Sequence, residues 1–248
     1  MQLAPRLHRL GTSSLVNSYL VEEAGQITIV DAGLPGLWSA LVAELEAMGR
    51  SFGDIRAVLL THGDVDHIGF AERLRRDHGV PVLVDAADAA EARGEAKKPS
   101  AARDSMRIRP MIAFLAYAAT HGGLRSTPVA EVGTFVAGAL LDLPGSPRVI
   151  GLPGHTPGSV AFHVQSVDAI FVGDAMTTRS VTSGIVGPAL GPFTVDPAQA
   201  VASLAALDGL TPHWLLPGHG DPWTEGLPAA VERIRAAAGV PAHGAPAA

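Results

Sequence analysis

The sequence predicts an α/β fold, and three observations carry that expectation. Short apolar runs of β-type residues alternate with stretches whose apolar residues recur every three or four positions, the periods of strand and helix. The two halves of the chain repeat one order: strands, a polar loop, a helix. Residues able to carry chemistry recur where an apolar strand gives way to a glycine-rich loop. The chain has 248 residues, 47% hydrophobic and 17% charged. A chain of that length can bury about 70% of its unfolded surface, and a disordered chain would be poorer in apolar residues.

Residues 26–31, Gln-Ile-Thr-Ile-Val-Asp, read as a strand that ends in the turn Asp31-Ala-Gly33. Trp38, Leu41, Leu45 and Met48 fall on one helical face and predict a helix over that span. A strand at 57–60 follows, then a polar loop, a helix over 70–77 and a strand at 81–84. The second half gives strands at 148–150, 160–164, 169–172 and 214–216. Its helices cover 197–207, with Asp196 as N-cap and Pro197 in the first turn, and 227–238. The segment 86–128 breaks the rhythm: a charged, Ala-rich run precedes the apolar stretch 111–119 and the pair Gly122-Gly123. It reads as a helical insertion within a single domain spanning 1–238. The tail 239–248, with two Pro, two Gly and four Ala, is expected to be flexible.

Composition excludes several functions. Lys and Arg number 18 against 24 Asp and Glu, a net charge of −6, so no basic footprint argues for nucleic acid. Zero cysteines remove disulfides, thiolate metal sites and Cys nucleophiles together. No signal-peptide core opens the chain, and the apolar stretch at 111–119 is half of what a membrane span needs. A cytoplasmic protein acting on a small molecule is the expectation. Ten histidines without a cysteine direct attention to a His/carboxylate metal site.

Such a site is present as a pattern. The strand at 57–60 runs into Thr61-His62-Gly63-Asp64-Val65-Asp66-His67-Ile68-Gly69, four potential ligands within six residues. Imidazole nitrogen and carboxylate oxygen suit Zn²⁺, Fe²⁺ and Mn²⁺. His155 follows a strand in Pro153-Gly-His155-Thr-Pro-Gly158, Asp174 ends the strand Phe171-Val-Gly-Asp174, and His219 follows Leu216-Pro-Gly. All of these can converge on one edge of a sheet.

On these residues the sequence resembles the metallo-β-lactamase-fold hydrolase superfamily, from Asp31 to about Gly226. The family motif H-x-H-x-D-H, followed by a His, an Asp and a last His, is matched by His62, Asp66, His67, His155, Asp174 and His219. Asp64 stands where the family has His. The resemblance implies a four-layer αββα sandwich with two divalent metal ions at one edge. His62, Asp64 and His155 would hold the first, Asp66, His67 and His219 the second, and Asp174 would bridge them. Zinc is the expected metal. Fe or Mn enters because a carboxylate at 64 adds a hard oxygen ligand. The Asp31-Ala-Gly33 turn resembles a family feature that supports the metal loop.

The implied activity is hydrolysis by a metal-bound hydroxide, with Asp66 orienting it as the catalytic residue and an ester, lactone or thioester as substrate. Iron-dependent chemistry of the flavodiiron or persulfide dioxygenase kind, or a non-catalytic metal-binding role, is the alternative. From the insertion, Phe114, Tyr117 and His121 are candidates for the substrate pocket, and Asp221 is a candidate to orient a ligand His.

Overall fold

The computed structural model describes residues 1–101 and 106–239, so all but the first residue of the expected flexible tail lies outside the described residues. In chain order the strands of the first half are β1 (Gln2–Ala4), β2 (Leu7–Arg9), β3 (Tyr19–Glu23), β4 (Gln26–Val30), β5 (Ile55–Leu59), β6 (Val82–Asp85) and β7 (Gly133–Phe135). They form one sheet in that order, antiparallel from β1 to β4 and parallel from β4 to β7. Helices α1 (Trp38–Met48) and α2 (Ala71–His78) provide the crossovers between β4, β5 and β6, while α3 (Ala89–Ala92) and α4 (Ile108–Thr120) lie between β6 and β7. Strands β8 (Arg148–Gly151), β9 (Val160–Val164), β10 (Ala169–Gly173) and β13 (Trp214–Pro217) make a second sheet in the order β13-β10-β9-β8. A small hairpin of β11 (Thr177–Arg179) and β12 (Val186–Ala189) and the helices α5 (Pro197–Ser203) and α6 (Leu227–Ala237) complete the fold.

The layering follows from period-two alternation on strands buried on both faces. In β4, Ile27 and Ile29 face Leu41 and Leu45 of α1, whereas Val30 faces the other sheet. In β10, Phe171 meets Tyr19, Leu59 and Phe162 between the sheets, and Ile170 and Val172 pack under Val201, Val231 and Ile234 on the side of α5 and α6. The result is helix, sheet, sheet, helix, the αββα sandwich.

Helix ends match local chemistry. The Asp196 carboxylate accepts the Gln199 amide at 2.9 Å at the start of α5. α1 and α2 stop at Gly49 and Gly79, which adopt the left-handed conformation that favours glycine. The helix expected over 197–207 tightens into a 3₁₀ turn at Leu204–Leu207, within the usual variation of a last turn. Strands β1, β2, β3 and β7 and the β11–β12 hairpin do not stand out in the sequence. Most are three or four residues long and gain their stability from neighbours rather than from their own pattern.

Candidate metal centre

Loops at the ends of four strands build the site. His62, Asp64, Asp66 and His67 lie in the loop after β5, His155 after β8, Asp174 immediately after β10 and His219 after β13. Their donor atoms form three groups, each within 4.8 Å: His62, Asp64, His155; His62, His67, Asp174; and Asp66, His67, His219. Asp174 joins them, its Oδ2 at 3.1 Å from His219 Nε2 and 3.8 Å from His155 Nε2, its Oδ1 at 3.6 Å from His67 Nε2. All four imidazoles and Asp174 are buried.

The hydrogen-bond network assigns the tautomers. Thr61 Oγ1 donates to Asp31 at 2.9 Å, so it accepts from His62 Nδ1, also at 2.9 Å. His67 Nδ1 donates to Asp31 Oδ2 at 2.8 Å, and His219 Nδ1 donates to the carbonyl of Leu15. Thr194 Oγ1 donates to the Gly191 carbonyl at 2.7 Å and accepts from His155 Nδ1 at 3.3 Å. Each ring therefore has its Nδ1 proton fixed by an outer partner and turns Nε2 to the centre, the arrangement that orients histidine ligands around a metal. His62 Nε2, His67 Nε2 and Asp174 Oδ1 are buried without a hydrogen-bond partner among the described residues. Buried polar atoms left bare in this way are costly, and a divalent cation is what this donor set suits. The space is kept by Gly218, where a Cβ would collide with Asp174 Oδ1 and His67 Cε1.

Without an ion, the carboxylates hold protons on two of the rings. Burial alone would lower His67, but the charges of Asp31, Asp174 and Asp66 override it and raise the ring to about 10. Burial is likewise overridden at His219, where Asp174 and Asp66 raise it to about 9. Burial lowers His155. Ligation needs a bare Nε2, so loading a divalent ion at neutral pH displaces protons, and affinity is expected to rise with pH up to about 9 to 10. Calorimetric titrations of the chelator-stripped protein in buffers of different ionisation enthalpy check this: the apparent heat should vary with the buffer.

Three further carboxylates lie around the loops, of which the sequence marks only Asp31, at its turn. Asp31, in the left-handed region at φ 58°, accepts from the Thr61 amide at 2.8 Å as well as from Thr61 Oγ1 and His67. Asp88 clamps two ligand loops together, accepting from Gly63 N, Thr156 Oγ1 and Gly158 N at 2.6–3.1 Å. Glu91 on α3 lies beside Asp64, and burial together with that neighbouring carboxylate pushes it up to about 8. Lys98 reaches in from the stretch between α3 and α4, its Nζ 2.5 Å from Asp64 Oδ2 and 2.8 Å from His155 Nε2. Asp221 turns away and pairs with Arg9 at 3.1 Å, so the partner of His219 is a backbone carbonyl instead.

A cleft of about 630 Å³ opens onto the donors, with Asp64, Asp66, Asp174 and His219 in its wall. Its other walls include Leu34, Phe114, Leu115, Leu124 and Phe193. Phe114 sets its ring edge-on to His219, centroids 5.8 Å apart. Tyr117 and His121 are not in its wall: they stack on each other at 3.9 Å, Tyr117 packs partly buried against the core of the first sheet, as Phe114 also does, and the His121 carbonyl accepts the Gly36 amide. A larger groove of about 820 Å³, with Val201, Ala205 and Ile234 in its wall, holds none of the grouped donors.

Comparison with known proteins agrees with this geometry. The family model described as "Metallo-beta-lactamase superfamily" matches residues 11–219. The probable metallo-hydrolase YflN of Bacillus subtilis (strain 168) is 30% identical over 241 residues, 90% of this chain and 87% of the relative. Among solved structures, the metallo-beta-lactamase family protein TTHA1429 from Thermus thermophilus superposes with a TM-score of 0.69 at 24% identity, covering 96% of this chain and 81% of its own. TTHA1623, solved in a di-iron-bound form, gives 0.59 at 28% identity over 87% of this chain and 92% of its own. Among the described residues no helix is long and apolar enough to cross a membrane. With the αββα layers, the strand-end donors and the match over most of its length, the chain belongs to the metallo-β-lactamase superfamily.

Proposed function

We propose that the protein is a metal-dependent hydrolase acting on an ester, lactone or thioester with an apolar acyl or leaving group. The observation that supports this reading is the convergence of four Nε2 atoms and the Asp174 carboxylate at the floor of a cleft walled by apolar side chains. Asp66, His67, His219 and Asp174 would hold one divalent ion, and His62, His155 and Asp64 offer a second set of donors. A divalent ion held by these residues would supply the acidification of a water and the polarisation of the scissile oxygen. Asp66, in the cleft wall with Oδ2 3.4 Å from His219 Nε2, orients the attacking water, takes its proton and returns it to the leaving group. Phe114, Leu115 and Phe193 bind the apolar part and keep bulk water away from the reacting carbonyl.

An iron-dependent redox reaction is the second reading, favoured by the oxygen ligand Asp64 and by the di-iron-bound relative. The test is turnover of a panel of esters, lactones and thioesters by protein loaded separately with Zn²⁺, Mn²⁺ and, anaerobically, Fe²⁺. Hydrolysis that stops with chelator and returns with metal is expected. Oxygen uptake with a persulfide, and no hydrolysis of any panel member, would overturn the proposal. Phe114→Ala is expected to raise KM about tenfold, equivalent to about 1.4 kcal/mol of lost contact, with kcat little changed. A thermal melt beside the kinetics separates this from a core role, in which the truncation costs about 3–5 kcal/mol of stability and leaves KM unchanged.

A further inference from the structure

The two halves of the donor set are not equivalent. In the second half, His67 Nε2 and the Asp174 Oδ1 facing it lack any hydrogen-bond partner among the described residues. In the first half His62 Nε2 is bare as well, but the other two donors already grip a cation: Lys98 Nζ lies 2.5 Å from Asp64 Oδ2 and 2.8 Å from His155 Nε2. The tautomer assignment makes His155 Nε2 a lone pair, so it accepts from the ammonium. Asp64 Oδ2, 3.1 Å from that nitrogen, shares the same proton donor rather than bonding to the ring. His62 Nε2 completes the cluster at 3.4 Å from Asp64 Oδ2. The Lys98 side chain is only 16% exposed, so the ammonium is set down inside the cleft rather than waving over it.

We propose that Lys98 is a tethered cation that takes the place of the first metal ion, so that the native centre binds a single divalent ion at Asp66, His67, His219 and Asp174. The proposal rests on the metal-dependent reading given above. Charge supports it. The carboxylates of Asp64, Asp66 and Asp174, one ammonium and one divalent ion sum to zero, whereas a second ion would leave the centre doubly positive with Lys98 still attached nearby. Competition supports it too. An ammonium on the chain acts at a high effective concentration, so an incoming ion must displace it as well as shed its own water. Asp64 is then the residue that recruits Lys98, since a carboxylate pairs with an ammonium as an imidazole does not. The departure at position 64 and the lysine between α3 and α4 are two parts of one device.

The test is the number of ions bound. Chelator-stripped protein is titrated with Co²⁺, followed by its visible spectrum, and the bound metal is counted after desalting. Wild type is expected to take about one tight equivalent and Lys98→Met about two, with the second spectrum indicating mixed N/O ligation. Asp64→His, which removes the ammonium's anchor without touching Lys98, is expected to take about two as well, and it answers the question should Lys98→Met fail to fold. Two tight equivalents in wild type, or one in both variants, overturn the inference. No tight binding by wild type would instead remove the metal-dependent reading on which it rests.

Discussion

Asp174→Ala is expected to strip the protein of bound metal and of hydrolytic activity together, whereas Asp64→Ala leaves most of the metal in place. Asp174 is the carboxylate placed between both groups of histidines, with His219 at 3.1 Å from one oxygen and His67 at 3.6 Å from the other. Losing an outer partner of a ligand typically costs about 10–100-fold in metal affinity, and losing a direct ligand that is also a compensating charge costs more. The stabilisation that added metal confers on the melt should disappear in the same variant, because a ligand raises stability only in proportion to its binding. Metal content measured after gel filtration, with melts taken with and without metal, checks this. Equal metal retention in Asp174→Ala and Asp64→Ala would contradict the central position of Asp174 among the donors.

The second large effect concerns a residue that touches no metal. Asp31 is buried, sits at φ 58° and accepts hydrogen bonds from the Thr61 amide, the Thr61 hydroxyl and His67 Nδ1. Asp31→Ala leaves the Thr61 amide and the His67 ring without their acceptor and keeps the strained backbone. Losses of this kind cost about 3–5 kcal/mol, or roughly 10 °C in melting temperature for a chain of this size. Asp31→Asn separates fold from function. Its side chain tolerates the left-handed backbone and its carbonyl oxygen still accepts from Thr61. It carries no charge, however, and cannot satisfy Thr61 and His67 at once. Asp31→Asn should therefore melt within a few degrees of wild type yet bind metal about 10–100-fold more weakly. Wild-type metal affinity in the Asn variant would show that Asp31 serves only the turn.

Much of this was legible in the sequence, and the reasons are physical. The strands buried on both faces, such as β4, β5 and β10, are nearly continuous apolar runs, and each announces its end with a Gly or Asp or a polar loop. The donors stand at those ends because a sheet edge is where a polar side chain can leave the core without abandoning a fixed backbone. Hence His62 to His67, Asp174 and His219 could be picked out by their position after a strand. The strands at the start of the first sheet were not legible: β1 and β2 are three residues each and separated by Pro5-Arg6, so no alternation develops. Lys98 gave no signal either, since it sits 34 positions beyond Asp64 in a segment without periodicity. Asp88 reads as one more polar residue in an Ala-rich run until folding sets it against Gly63, Thr156 and Gly158. The split within α4 was hidden for a related reason. Periodicity marks Phe114 and Tyr117 as neighbours on the helix, and both pack against the core of the first sheet, but only the fold shows that Phe114 also lines the cleft while Tyr117 does not.

The most direct measurement is anomalous diffraction at the edge of the loaded metal, from crystals of the protein reconstituted after chelation. A strong peak is expected about 2.0–2.2 Å from His67 Nε2 and His219 Nε2 and within reach of Asp66 and Asp174. A fully loaded crystal with no peak among these four residues, or with its metal bound elsewhere on the chain, would contradict the assignment of the centre.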